Sequence, residues 1–168
     1  MLRPRNLTIQ RRTTGWLVLG MSILLAQCLS PQQQNKGITP TVLFVCEHGA
    51  ARSAIASAYF NRIAGEKSLD YVAIFRGTDP DTVLTSGTAA GLTRDGFDVR
   101  GYNPMKVTLA DLEGASKIVT FDCRIPFDSD KPVTAWNGIP PISKDYEVAR
   151  EEIVTKFREL IRELEKDK

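Results

Sequence analysis

From Thr41 onward, four short apolar runs alternate with stretches of helical period, and no other feature restricts the fold as strongly. TVLFV (41–45), YVAIF (71–75), KIVTF (117–121) and VTAW (133–136) are rich in β-branched and aromatic residues and read as strands. Between them, Ser53–Ala64 sets Ile55, Ala58, Tyr59 and Ile63 on one helical face, and shorter helices are expected around Thr88–Asp95 and over Leu109–Ala115. The last helix has the clearest period. Ser143 is the expected N-cap, and Tyr146, Ala149, Ile153, Phe157, Leu160, Ile161 and Leu164 follow at helical spacing. Strands that alternate with helices predict an α/β doubly wound architecture, a parallel sheet with helices on both faces. There is no internal repeat.

The chain ahead of Thr41 has a different character. Its first 27 residues hold Arg3, Arg5, Arg11 and Arg12 and no acid, and they carry the apolar run WLVLGMSILLA (16–26). That run is about half of the ~20 residues needed to span a bilayer. A basic start, a short apolar centre and small residues beyond it read as an export signal. The run closes in LLAQC, which resembles the lipobox of bacterial lipoproteins, although Gln27 stands where a small residue is usual. The resemblance implies that Cys28 bears a lipid and that the protein is a membrane-anchored lipoprotein of the cell envelope, facing the periplasm or the exterior. An uncleaved N-terminal anchor and an unanchored form are the alternatives. SPQQQNKGITP (30–40) then reads as a polar, flexible tether. Without the first 27 residues the chain has 18 basic and 20 acidic residues, and this balance gives no indication of a nucleic-acid partner.

The chemistry concentrates at the end of the first strand. In an open parallel sheet, ligands bind beyond the carboxyl ends of the strands, and Cys46 stands there at the start of CEHGAARS. A loop that returns to a helix N-terminus turns backbone N–H groups inward, where the helix dipole adds positive potential. Such a place holds a tetrahedral oxyanion and favours a thiolate. The residues expected to cradle the anion are Glu47, His48, Gly49, Ala50, Ala51 and Arg52. Arg52 offers a planar fork to two oxygens, and Ser53 can donate to the sulfur.

With its setting after strand one, C-x5-R-S within VLFVCEHGAARSAIASAYF resembles the low-molecular-weight protein tyrosine phosphatases and the arsenate reductases that share their fold. The resemblance covers Thr41 to about Leu164 and implies a four-stranded parallel sheet, a phosphate loop over 46–53, Cys46 as nucleophile and Arg52 as oxyanion clamp. Many members carry asparagine where Gly49 stands. That asparagine holds a left-handed turn, which glycine adopts without strain. The expected organisation is a signal peptide over 1–27, a tether over 28–40 and a low-molecular-weight phosphatase-like domain over 41–168.

Two positions separate the activities that the resemblance implies. Thioredoxin-coupled reductases pass oxidation from the loop cysteine to two further cysteines. Cys123 stands near the first of these, but RIPFDSDKP after it contains no partner. Cys123 is therefore either structural or a redox partner of Cys46, and an external thiol reductant would serve a reductase. Phosphatases of the family use an aspartate in the loop before the last helix as general acid. Here AWNGIPPISKDY offers only Asp145, at the edge of the last helix, with Asp122 as an acid from elsewhere. His48 reads as a loop residue facing solvent or substrate.

The favoured expectation is a cysteine-dependent phosphatase with Cys46, Arg52, Ser53 and Asp145 as catalytic residues. The alternatives are an arsenate reductase and a non-catalytic oxyanion-binding module. The expected ligands are phosphate, arsenate or a phosphorylated substrate. No cofactor or metal is implied, because the single histidine and the scattered carboxylates form no cluster at ligand spacing.

Overall fold

The computed structural model describes residues 39–166. The expected signal peptide, Cys28 and the tether as far as residue 38 lie outside the described residues. In chain order the elements are β1 (Thr41–Cys46), α1 (Arg52–Glu66), β2 (Val72–Gly77), α2 (Ser86–Arg94), α3 (Leu109–Gly114), β3 (Ala115–Thr120), β4 (Val133–Ala135) and α4 (Tyr146–Lys166). The strands form one sheet in the order β2-β1-β3-β4, and every pairing is parallel. This is the doubly wound sheet that the alternation predicts. Among the described residues, no helix is long and apolar enough to cross a membrane.

β1 is central and buried on both faces, so its side chains feed two cores in alternation. Val42, Phe44 and Cys46 join a large cluster with α1 and α4, whereas Leu43 and Val45 join a smaller one with Val107, Leu112 and Ile118. Phe44 is the hub of the large cluster, its ring centroid 5.8–6.2 Å from those of Phe60, Phe121, Trp136 and Phe157. Full burial of each such side chain contributes roughly 1.5–3 kcal/mol. Truncating Phe157, which ties α4 to the sheet, should cost ~3–5 kcal/mol because a cavity is left as well.

The last helix starts later than its expected cap. Lys144 N–H closes a turn onto Pro141 C=O at 3.0 Å, so Ser143 lies inside a turn and not at the helix edge. Asp145 is the cap instead: its Oδ1 accepts the N–H of Val148 at 3.0 Å. α2 and α4 meet closely where the ring of Tyr146 lies over Gly91, and a Cβ at residue 91 would fall 2.3 Å from that ring. Tyr146 and Tyr59 both donate to Asp95 Oδ2, at 2.8 and 2.6 Å, and these bonds tie α1, α2 and α4 together.

Candidate active site

Cys46 ends β1 and is buried. Two polar groups face its sulfur. Ser53 Oγ lies 3.0 Å away and the Gly49 N–H donates at 3.2 Å. Gly49 takes φ +64°, the left-handed conformation that turns its N–H back toward the sulfur. α1 begins at Arg52 directly after the loop, with no side-chain cap on its free N–H groups and no acid in its first turn. The dipole end is thus left to whatever anion enters the loop.

The loop keeps its shape by backbone contact with a neighbour that the sequence reading did not single out. Gly77 closes β2 and pairs in register with Cys46. A Cβ on Gly77 would stand 2.8 Å from Gly49 N and 2.9 Å from Glu47 O, both backbone atoms. Beyond Gly77 the chain runs alongside the loop, with N–H groups of Thr78, Asp79, Asp81 and Thr85 donating to the carbonyls of Cys46, Glu47, His48 and Ala50 at 2.9–3.1 Å. A glycine at a strand end is the one signal of this close approach in the sequence.

Arg52 is held by the segments that follow β3 and β4. Its Nη1 pairs with Asp122 Oδ2 and lies 3.4 Å from Ile139 C=O. Asp122 follows β3 with φ +46°, a left-handed turn that aspartate tolerates better than most residues. Its other oxygen, Oδ1, accepts the Gly138 N–H at 3.0 Å. Both bonds to Arg52 use Nη1, which leaves Nε and Nη2 to face an oxyanion.

The remaining candidates fall in three places. His48 is exposed, with Nδ1 3.3 Å from Asp79 C=O and its ring nitrogens 3.8 Å from the carboxylates of Glu47 and Asp81. Glu47 is likewise exposed, whereas Ala50 is buried and Ala51 half-buried along the loop. Asp145 spends its carboxylate on the first turn of α4. Cys123 lies half-buried on the small-cluster side of the sheet, its Sγ 3.5 Å from Val45 C=O, and burial pushes its thiol up to about 11. Among the described residues, no group of His, Cys, Asp and Glu is placed to hold a metal ion.

A cleft of about 530 Å³ opens beside Arg52, between the start of α1, residues Thr85–Gly87 at the start of α2, and Pro141–Ser143. A cysteine and an arginine thus stand around an uncapped helix N-terminus at the carboxyl edge of a parallel sheet, an arrangement whose geometry suits a tetrahedral oxyanion.

Solved structures narrow the class further. The chain is 25% identical to a thioredoxin-dependent arsenate reductase of Corynebacterium glutamicum (TM-score 0.66), covering 79% of this chain but only 65% of that one. It is 29% identical to an arsenate reductase of Archaeoglobus fulgidus (TM-score 0.59), covering 71% of this chain and 98% of that one. A low-molecular-weight protein tyrosine phosphatase of T. tengcongensis shares the fold at 20% identity, with a TM-score of 0.59 and coverage of 71% and 98%. No protein-family model and no curated protein matches the chain. The chain belongs to the superfamily of low-molecular-weight protein tyrosine phosphatases and arsenate reductases.

Proposed function

We propose that the protein is a cysteine-dependent phosphatase. The observation that carries this reading is the sulfur of Cys46, flanked by Ser53 Oγ at 3.0 Å and Gly49 N–H at 3.2 Å at the mouth of an uncapped helix. Backbone N–H groups and the free side of Arg52 hold three oxygens of a phosphate, and the sulfur attacks phosphorus as the thiolate. Ser53 and Gly49 stabilise the sulfur again when water cleaves the thiophosphate adduct. Asp122 acts through Arg52, fixing one end of the guanidinium so that the other is presented to the anion. The test is turnover of p-nitrophenyl phosphate alongside calorimetry of inorganic phosphate. Cys46→Ser should abolish turnover and keep phosphate binding, while Arg52→Ala should weaken binding; an Arg52→Ala protein that binds phosphate as well as the parent overturns the reading.

An arsenate reductase is the second reading, favoured by the likeness at 25% and 29% identity to two arsenate reductases. Cys123 is poorly suited to resolve an arsenate adduct, because a thiol raised to about 11 is scarcely ionised at neutral pH. This reading therefore needs an external thiol, and arsenate-dependent consumption of such a thiol separates it from the first. For residues 1–40 the proposal remains a lipidated Cys28 and an envelope location. Mass spectrometry that finds an intact Met1 terminus on the cellular protein would overturn it.

A further inference from the structure

Three features around the loop select among leaving groups, and the inference from them rests on the phosphatase reading. The first concerns proton donors. Asp122 has one carboxylate oxygen on Arg52 and the other on the Gly138 N–H, and Asp145 has its Oδ1 on Val148 N–H at the head of α4. Both aspartates that could serve as general acid are thus used as acceptors. The second is the cleft beside Arg52, whose lining of small, hydroxyl-bearing and aliphatic residues includes no carboxylate and no aromatic ring. The third is the part of the loop outside the cleft lining, where Glu47 and Asp81 stand around the exposed His48. Two carboxylates disfavour an anionic leaving group there, whereas the cleft has none and is lined by Arg52.

We propose that the leaving group departs into the cleft bounded by Thr85–Gly87 and Pro141–Ser143, that the natural substrates are acyl phosphates, and that Gly87 sets how large an acyl group is accepted. In the first step the Cys46 sulfur forms a bond to phosphorus and the phosphorus–oxygen bond to the acyl group breaks. The electron pair stays on that oxygen, which leaves as a carboxylate. A carboxylate is stable at neutral pH without a proton, so the step needs no general acid. Water then attacks phosphorus, the sulfur–phosphorus bond breaks, the electron pair returns to Cys46, and the proton of water passes to solvent with inorganic phosphate. Hydroxyls of Ser86 and Ser143 are available to the acyl carbonyl. Alkyl phosphates, whose alkoxides are strongly basic, fail at the first step.

Gly87 supplies the decisive variant. A Cβ there meets only Ile142 Cγ2, at an ordinary 3.8 Å, so a side chain is accommodated by the backbone and projects into the cleft. The experiment measures kcat/KM for acetyl phosphate, butyryl phosphate, glycerol phosphate and p-nitrophenyl phosphate, with Cys46→Ser as the blank, in the parent, Gly87→Ala and Gly87→Leu. Acyl phosphates should exceed glycerol phosphate at least 100-fold, and the butyryl-to-acetyl ratio should fall in the order parent, Ala, Leu, by at least 10-fold overall. Inorganic phosphate binding reports that each variant is folded. Glycerol phosphate turned over as fast as the acyl phosphates overturns the proposal, as does an unchanged butyryl-to-acetyl ratio in folded Gly87→Leu. Turnover of p-nitrophenyl phosphate without that of acyl phosphates sinks this inference alone. Absence of Cys46-dependent turnover of all four phosphates sinks the phosphatase reading with it.

Discussion

Two segments border the same cleft and are built on opposite plans. The loop from Cys46 to Ser53 carries its candidate side chains on neighbours in sequence, with its backbone leaning on Gly77 and the segment after it. The segment from Trp136 to Asp145 is assembled from distant parts: Gly138 leans on Asp122, Ile139 touches Arg52, and Asp145 serves α4. The first segment holds its candidate groups in a continuous word of sequence. The second shows that a side chain's use is decided by what lies beside it in space. An aspartate in the expected stretch, Asp145, holds a helix end, while one from another strand, Asp122, reaches the arginine.

The contrast can be broken most severely at the loop. Cys46→Ser should remove all turnover while phosphate still binds, as read by calorimetry, because the sulfur is the one group with no substitute. Gly77→Ala comes next. Its methyl would meet backbone at 2.8–2.9 Å, so the loop must shift; a cost of ~1–3 kcal/mol in chemical denaturation is expected, together with a loss of phosphate affinity that the equally small Gly65→Ala, where a Cβ meets nothing within 4 Å, does not produce.

The assembled side should respond more gently. Asp122→Asn weakens the hold on Arg52, and a fall in kcat/KM of up to about 100-fold is expected, the cost of a clamp misplaced by about 1 Å. A double-mutant cycle with Arg52→Lys should show non-additivity; strict additivity would mean that Asp122 does not act through Arg52. Asp145→Asn should leave both kcat and its dependence on leaving-group pKa unchanged, since asparagine caps as well as aspartate, whereas Asp145→Ala should cost about 1 kcal/mol of stability. A rate lost in Asp145→Asn would make Asp145 the acid.

The smallest effect is in the pH profile of stability. Hydrogen bonds from Tyr59 and Tyr146 and the charge of Arg150 hold Asp95 below the usual carboxylate range against the opposing effect of burial. Hydrogen bonds from Arg76 and Thr108 do the same for Asp111. A carboxylate held low in the folded state contributes stability above its ordinary value, and this is lost as pH falls through the folded one. Acid titration of denaturation midpoints should therefore show a limb below about pH 4 that Asp95→Asn flattens.

What the sequence makes legible follows the same division. The sheet and the loop are readable because strand period, the Cys46-to-Arg52 spacing and the helix after it are all local. Gly77 is not, since its reason is the nearness of another strand's backbone. The pairing of Asp122 with Arg52 spans 70 residues and depends on a left-handed turn after β3. Ser143 and Asp145 are equally good caps in isolation, and the turn from Pro141 to Lys144 decides between them. Gly138, in the same stretch, takes φ +79°, a left-handed conformation that glycine adopts without strain and that the strand and helix periods do not announce.

The unequal division of apolar residues between the two faces of the sheet has a consequence for how the molecule opens. The face under α1 and α4 is locked by the interleaved rings of Phe44, Phe60, Trp136 and Phe157, whereas the other rests on Leu43, Val45, Val107, Leu112 and Ile118 beneath the short α3. Local opening draws on regions with few buried apolar contacts. Amide hydrogen exchange should thus be fastest in α3 and the flanking edge of β3, and slowest in β1 and the centre of α4.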